Sequence, residues 1–268
     1  MEWDYENGYA LVTGATGGLG KAFVFALAKK NANLLLTGRS EKKLLALQAE
    51  LAERYPQTVV KIYPADLSDE HSRYALTEKI AAENSQIRLL VNAAGADVQK
   101  ALTAYTQEKI AFQCRVNFEA AVALCRFAIE HKAERLEIVN ISSVSGIYPM
   151  PYFAIYSATK GALTSFSVSL REEMKGQNVA VTAILPGAMP TREDIKAQIQ
   201  GQGLWGKLAA KSPSTVAEIS LKAVRKNKRK VIVGFWNKVM RVFTAWLPTS
   251  LRLRFIAKRW SKISKDAF

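Results

Sequence analysis

The stretch that most restricts the fold is an apolar run, Tyr9 to Thr13. It passes directly into T-G-A-T-G-G-L-G, Thr13 to Gly20, and then into the apolar-rich K-A-F-V-F-A-L-A-K-K. Strand, glycine turn, helix is the context in which a glycine motif carries meaning. Gly14 permits a tight turn, Gly18 a close backbone approach, and Gly20 close packing of helix on strand. The start of the helix offers free N–H groups and a positive dipole end, which together suit a pyrophosphate.

The same alternation continues along the chain. Apolar strands are expected at Leu34–Thr37, Thr58–Tyr63, Leu89–Val91, Leu136–Ile141, Val179–Leu185 and Lys230–Gly234. Helices are expected between them at Lys42–Tyr55, Ser68–Glu83, Thr106–Glu130, Ser157–Met174 and Pro213–Arg225. This pattern predicts an α/β fold of the Rossmann type, a doubly wound parallel sheet with helices on both faces. Ligands then gather at the carboxyl ends of the strands, where Asp66, Asn92, Gly95 and Ser143 fall. The second strand ends in Gly38 and Arg39, with no acid at the strand end and with Lys42 and Lys43 close behind. An acid there would hold a ribose 2′-hydroxyl, whereas an Arg accommodates a 2′-phosphate, so NADP is expected rather than NAD.

A second stretch, Asn140 to Lys160, carries candidate chemistry. Tyr156 opens a helix and Lys160 follows four residues on, so the two share a face. A phenol ionises near pH ~10 in water, and a neighbouring cation favours the phenolate. Tyr156 is thus a candidate acid/base, with Ser143 on the preceding strand-end loop to hold a substrate oxygen. Taken alone, the pair is a weak signal that reads more readily as a surface Tyr beside a solvated Lys, and only its company gives it weight. Asn117 sits in mid-helix, a mildly unfavourable place that calls for a kink to cap or a water to hold. His71 and His131 stand isolated, and no Cys/His cluster has metal-ligand spacing, so no metal is expected. Cys114 and Cys125, about 16 Å apart on one helix, are too far separated for a disulfide.

The formal charge of +15 on 268 residues is unevenly placed. From Lys207 onward there are sixteen Lys and Arg against Glu218 and Asp266, while the preceding residues are close to neutral at +1. A catalytic body over 1–234 and a basic extension over 235–268 are therefore expected. In the extension Leu253, Ile256, Trp260 and Ile263 fall on one side of a helix, and Arg254, Lys258, Arg259, Lys262 and Lys265 elsewhere on the wheel. Such a helix suits an anionic membrane surface, and equally a contact with a second subunit or a lid over the pocket. Before it, the glycine-punctuated stretch Thr191–Lys211, with Leu204 and Trp205, suits a flap. The first residues show no signal-peptide pattern, no apolar run is long enough to span a membrane, and no nucleic-acid partner is expected. A cytoplasmic protein, peripheral to a membrane if the tail binds one, is the expectation.

Taken together, these motifs resemble the short-chain dehydrogenase/reductase superfamily over about residues 8 to 234. They occur in the expected order: Thr13-Gly14, Gly18, Gly20, Asp66-Leu67, Asn92 to Gly95, Asn117, Ser143, Tyr156 with Lys160, Pro186-Gly187 and Thr191. The resemblance implies Tyr156 as general acid/base, Lys160 lowering its pKa and binding the nicotinamide ribose, and Ser143 polarising the substrate oxygen. It implies that Asn117 holds a water of the proton relay. Gly14, Thr16, Gly18, Leu19, Gly20, Arg39, Asp66, Leu67, Asn92, Ala93, Gly95, Pro186, Gly187 and Thr191 would contact or back the cofactor. Ala93 departs from the Asn that many members carry, and the tail continues past the point where many members end.

The expected activity is NADP(H)-dependent interconversion of a ketone and a secondary alcohol. Met189, Leu204, Trp205, Phe235 and Trp236 point to a bulky apolar substrate, such as a hydroxysteroid or bile acid, or alternatively a 3-oxoacyl thioester on ACP or CoA. A homo-oligomer is expected. A non-catalytic NADP-binding redox sensor is the competing class, and it would be expected to lack the acid/base pair that this chain keeps.

Overall fold

The computed structural model describes residues 8–190 and 210–261. Seven parallel strands form one sheet in the order β3-β2-β1-β4-β5-β6-β7. The strands are β1 (Tyr9–Thr13), β2 (Asn33–Gly38), β3 (Val60–Pro64), β4 (Ile87–Asn92), β5 (Lys132–Ile141), β6 (Val179–Leu185) and β7 (Lys230–Ile232). The order reverses between β1 and β4, which opens a crevice at the carboxyl edge of the sheet.

Side chains alternate across a strand, and here both faces are buried, which explains the near-continuous apolar runs. Ala10 and Val12 of β1, Leu34 and Leu36 of β2, and Leu89 and Val91 of β4 enter one core. Leu11, Leu35 and Leu90 enter the other. The first face is covered by α1 (Gly18–Ala28), α2 (Glu41–Arg54) and α7 (Pro213–Arg225). The second is covered by α3 (Glu70–Ala82), α5 (Ala120–Glu130) and α6 (Ala154–Glu173). Each fully buried Leu contributes roughly 1.5–3 kcal/mol, so the sheet is a stiff base for whatever stands on its edge.

Register aligns the strand ends. Thr13 pairs with Thr37, Gly38 with Pro64, Asn92 with Asn140, and Ile141 with Ile184. The loops that follow these ends therefore meet along one line. Local caps set where helices begin: Ser40 accepts a hydrogen bond from Lys43 N to start α2, and Asp69 one from Ser72 N to start α3.

One element departs from the sequence expectation, and the tail follows it. The long helix at Thr106–Glu130 runs as α4 (Gln107–Cys114) and α5 with a π turn, Arg115–Glu119, inserted between them around Asn117. The tail past Gly234 forms two helices, α8 (Phe235–Ala245) and α9 (Thr249–Trp260), broken at Pro248. Among the described residues no helix is long and apolar enough to cross a membrane. Cys114 and Cys125 are both free thiols.

Candidate active site

The glycine turn after β1 is shaped by contact as well as by conformation. Gly14 has φ +61°, in the left-handed region. A Cβ placed on Gly20 would lie 2.0 Å from the Gly14 carbonyl oxygen, so no side chain fits there. The α1 N-terminus that follows has no side-chain cap and no acid in its first turn. Its N–H groups are left to a ligand, and the positive end of the dipole is not neutralised. Thr13 Oγ1 accepts hydrogen bonds from Ala93 N and Ala94 N, each 3.0 Å, and so fixes the loop after β4 beside this turn. Asp66 Oδ1 accepts from Ser68 N at 2.8 Å, holding the loop after β3. Arg39 is exposed at the end of β2, with its guanidinium 5.9 Å from the centre of the Phe112 ring. An uncapped helix end, a turn that excludes side chains and a cation beyond β2 together fit a dinucleotide.

These groups line one cleft of about 1280 Å³. That exceeds the roughly 300–1,000 Å³ of a site for one small ligand and leaves room for two molecules side by side. Of the residues expected from the sequence, Gly14, Thr16, Gly18, Leu19, Gly20, Arg39, Asp66, Leu67, Ala93, Gly95, Ser143, Tyr156, Lys160, Pro186 and Gly187 all line it. Asn92 does not: its side chain turns into the sheet and donates to Asn140 Oδ1 at 2.8 Å. Thr191 and the flap residues Leu204 and Trp205 lie outside the described residues.

The candidate catalytic groups meet at the floor. Tyr156 lies in the first turn of α6 and Lys160 one turn later. Lys160 is buried, and its Nζ donates to Ile141 O at 2.8 Å, 5.8 Å from the centre of the Tyr156 ring. Ser142 Oγ donates to Lys160 O at 2.7 Å, which ties the end of β5 to α6. Ser143, the next residue, lies near enough to the Tyr156 phenol to favour its ionised form.

The electrostatics differ from the simple expectation that Lys160 lowers the phenol. Burial pushes Tyr156 up to about 12, helped by the charge of Asp97 and opposed by the Ser143 hydroxyl. Burial draws Lys160 down to about 8, with Asp97 acting the other way. Desolvation disfavours the charged form of both groups and is the largest influence on each. At neutral pH Tyr156 therefore keeps its proton.

Asn117 is not in the cleft wall, yet it holds the site together. Its Oδ1 accepts from Ala96 N at 2.8 Å, and its Nδ2 donates to Ala96 O at 2.9 Å and to Thr159 Oγ1 at 3.3 Å. The buried mid-helix Asn thus clamps the loop after β4 to α6, and the π turn aims it. Between them sits Gly95, where a Cβ would lie 3.2 Å from Asn117 Oδ1 and 3.3 Å from Lys160 Nζ.

The far wall of the cleft comes from α8, α9 and the bend between them, through Phe243, Leu247, Leu251, Phe255, Ile256 and Trp260. Trp260 stacks on Phe153 with centroids 6.2 Å apart, and Phe153 stacks on Tyr156 at 4.3 Å and 12°. Thr244 Oγ1 donates to the Tyr148 hydroxyl at 2.7 Å. The tail is therefore seated on the loop that delivers Tyr156. Of its expected apolar side, Ile256 and Trp260 face the cleft, Leu253 is half-buried without lining it, and Ile263 lies outside the described residues. Sequence reasoning passed over Asp97, Tyr148 and Phe153. The aromatic residues just before the Tyr156 helix were the available signal for the last two.

Comparison with known proteins agrees with this geometry. A family model described as short chain dehydrogenase matches residues 8–200. The 17-beta-hydroxysteroid dehydrogenase type 3 of Homo sapiens is 32% identical over 188 residues, covering 68% of this chain, and the matched part is 59% of that protein's length. Dehydrogenase/reductase SDR family member 7B of Mus musculus is 30% identical over 272 residues, 97% of this chain and 83% of that protein. Among solved structures, a 7beta-hydroxysteroid dehydrogenase superposes with a TM-score of 0.83 at 24% identity, covering 96% of this chain and all of that one. An L-sorbose reductase from Gluconobacter frateurii, solved with NADPH and L-sorbose, gives 0.79 at 23% identity over 87% of this chain and 97% of that one.

Proposed function

The chain belongs to the short-chain dehydrogenase family, oxidoreductases of CH–OH groups that bind a nicotinamide cofactor, and from that premise we propose that it is an NADP(H)-dependent enzyme interconverting a ketone and a secondary alcohol on a bulky apolar substrate of the hydroxysteroid or bile-acid kind. The observation that carries the reading is one cleft in which Tyr156, Lys160 and Ser143 share space with an apolar wall of Phe243, Leu247, Leu251 and Phe255. Arg39, standing at the end of β2 where NAD-binding folds place an acid, supports NADP over NAD.

The nicotinamide, when bound, supplies or accepts the hydride. The chain's own residues manage the proton. Tyr156, kept protonated by burial, donates its phenolic proton to the carbonyl oxygen of a ketone, and Ser143 steadies that oxygen. Lys160, drawn down to about 8, exchanges protons close to neutrality and reloads the phenol. Asn117 keeps the loop at Ala96 in place beneath them. Residues 1–234 act as the catalytic body, and 235–268 complete the substrate side. A 3-oxoacyl thioester is the second reading, favoured by the cations that line the cleft. A non-catalytic sensor would have no use for Tyr156, Lys160 and Ser143 in one cleft.

The test is one assay set read at the reduced-nicotinamide band, with a panel of oxo-steroids, oxo bile acids and 3-oxoacyl thioesters. Tyr156→Phe is expected to bind NADPH as the wild type does and to lose ketone reduction by roughly 10²–10⁴-fold. Arg39→Asp is expected to shift preference from NADPH toward NADH. Reduction that survives Tyr156→Phe would remove the proposed acid.

A further inference from the structure

The last two helices bring more than apolar surface to the cleft. Arg241, Arg252, Arg254 and Lys258 also line it, and residues 235–261 contain no Asp or Glu. Among the described residues no carboxylate forms an ion pair with any of the four. Asp97, a carboxylate lining the same cleft, acts on Tyr156 and Lys160.

Arg252 is the best defined of the four. Its Nη1 donates to Thr244 O at 3.1 Å and its Nη2 to Thr249 Oγ1 at 3.3 Å. Its guanidinium lies 5.1 Å over the Tyr148 ring, and its Nε is buried with no hydrogen-bond partner. Every partner is neutral. A half-buried cation held by neutral groups, with an N–H left over, is a costly arrangement unless an anion completes it. A guanidinium fork suits a carboxylate or a phosphate oxygen.

Position adds to the argument. Tyr148 links Arg252 to the loop that leads into α6, and Trp260 of the same helix stacks through Phe153 onto Tyr156. The phenol and the guanidinium therefore face one cleft, with Leu247, Leu251 and Phe255 among the residues that complete its wall. We infer that these cations form a subsite for the anionic end of the substrate, anchored by Arg252, so that the enzyme takes an amphiphile with an apolar body and a carboxylate or phosphate at one end. The inference rests on the proposed function and narrows its substrate class.

The experiment compares an oxo bile acid with its uncharged methyl ester, by equilibrium binding through tryptophan fluorescence and by turnover with NADPH. Wild-type protein is expected to bind the acid about tenfold more tightly than the ester, and added salt should narrow that preference. Arg252→Gln should bring the preference below about twofold, and the exposed pair Arg254→Gln/Lys258→Gln should reduce it by about threefold. Equal affinity of wild-type protein for acid and ester overturns the subsite, whatever the turnover. Preferential binding of the acid without turnover keeps the subsite and overturns the steroid reading instead. A parallel pelleting assay uses phosphatidylglycerol vesicles. If Arg252→Gln loses pelleting but keeps the acid-over-ester preference, the cations serve lipid headgroups and the subsite is overturned.

Discussion

The two sides of the cleft are built by different means. The cofactor side is made of backbone: the turn at Gly14–Gly20, the loops after β3 and β4, and the open end of α1, all fixed by the register of a buried sheet. The substrate side is made of side chains on α8 and α9, and many of them are exposed: Phe243 and Phe255 at 68% and Leu251 at 55%. The first side is stiff because moving it means breaking strand pairing. The second rests on a few contacts, chiefly Trp260 on Phe153 and Thr244 with Tyr148. On the proposed function, the contrast would let one chemistry be kept while selectivity is adjusted, with the proton handled on the stiff side and the substrate recognised on the other.

Substitutions can break this division or sharpen it. The largest effect on binding is expected from Gly20→Ala, because the new Cβ would lie 2.0 Å from a backbone oxygen that has no rotamer to change. Cofactor affinity should fall roughly a hundredfold, equivalent to ~2.7 kcal/mol, in a titration of reduced-nicotinamide fluorescence. Affinity preserved within about twofold would mean that the turn does not hold the cofactor.

Trp260→Ala should have a smaller and opposite-sided effect. An aromatic stack contributes about 0.5–1.5 kcal/mol beyond its area, so kcat on a bulky ketone should fall roughly two- to tenfold while cofactor affinity holds. If both fall together, the two sides of the cleft are not separable.

The smallest signal is a pH dependence of stability. Lys160 titrates at about 8 in the folded chain, below its ordinary 10.5. Between those values the unfolded chain binds more protons, so stability contributed at this site rises with pH across that window. Lys160→Met should flatten the rise when denaturant unfolding is compared at pH ~8 and pH ~9, where unfolded tyrosines are still largely protonated. A rise that persists unchanged in the variant would assign it to another group.

How much could be read in advance depended on range along the chain. The Thr13–Gly20 turn and the Tyr156–Lys160 pair were legible because their geometry is local: a strand feeding a helix, and two residues one turn apart. The Asn117 problem was visible as an ill-placed residue, but its solution, a clamp on Ala96 twenty-one positions away, needed the fold. Asn92 was read as a cofactor contact, yet at the strand end its side chain turns inward to Asn140. The expected lowering of the Tyr156 pKa also failed for the protein alone, because burial is a property of the packed molecule.

The amino-acid order by itself determined the alternation of elements, the glycine turn, the spacing of phenol and ammonium, and the basic character of the tail. All of these follow from backbone conformation and from contacts within a few residues. Only the tertiary structure decided that α8 and α9 wall the cleft, that Trp260 reaches Tyr156 through Phe153, and that burial rather than the neighbouring cation governs the proton. Those outcomes depend on which distant surfaces exclude water from one another, and no local pattern encodes that.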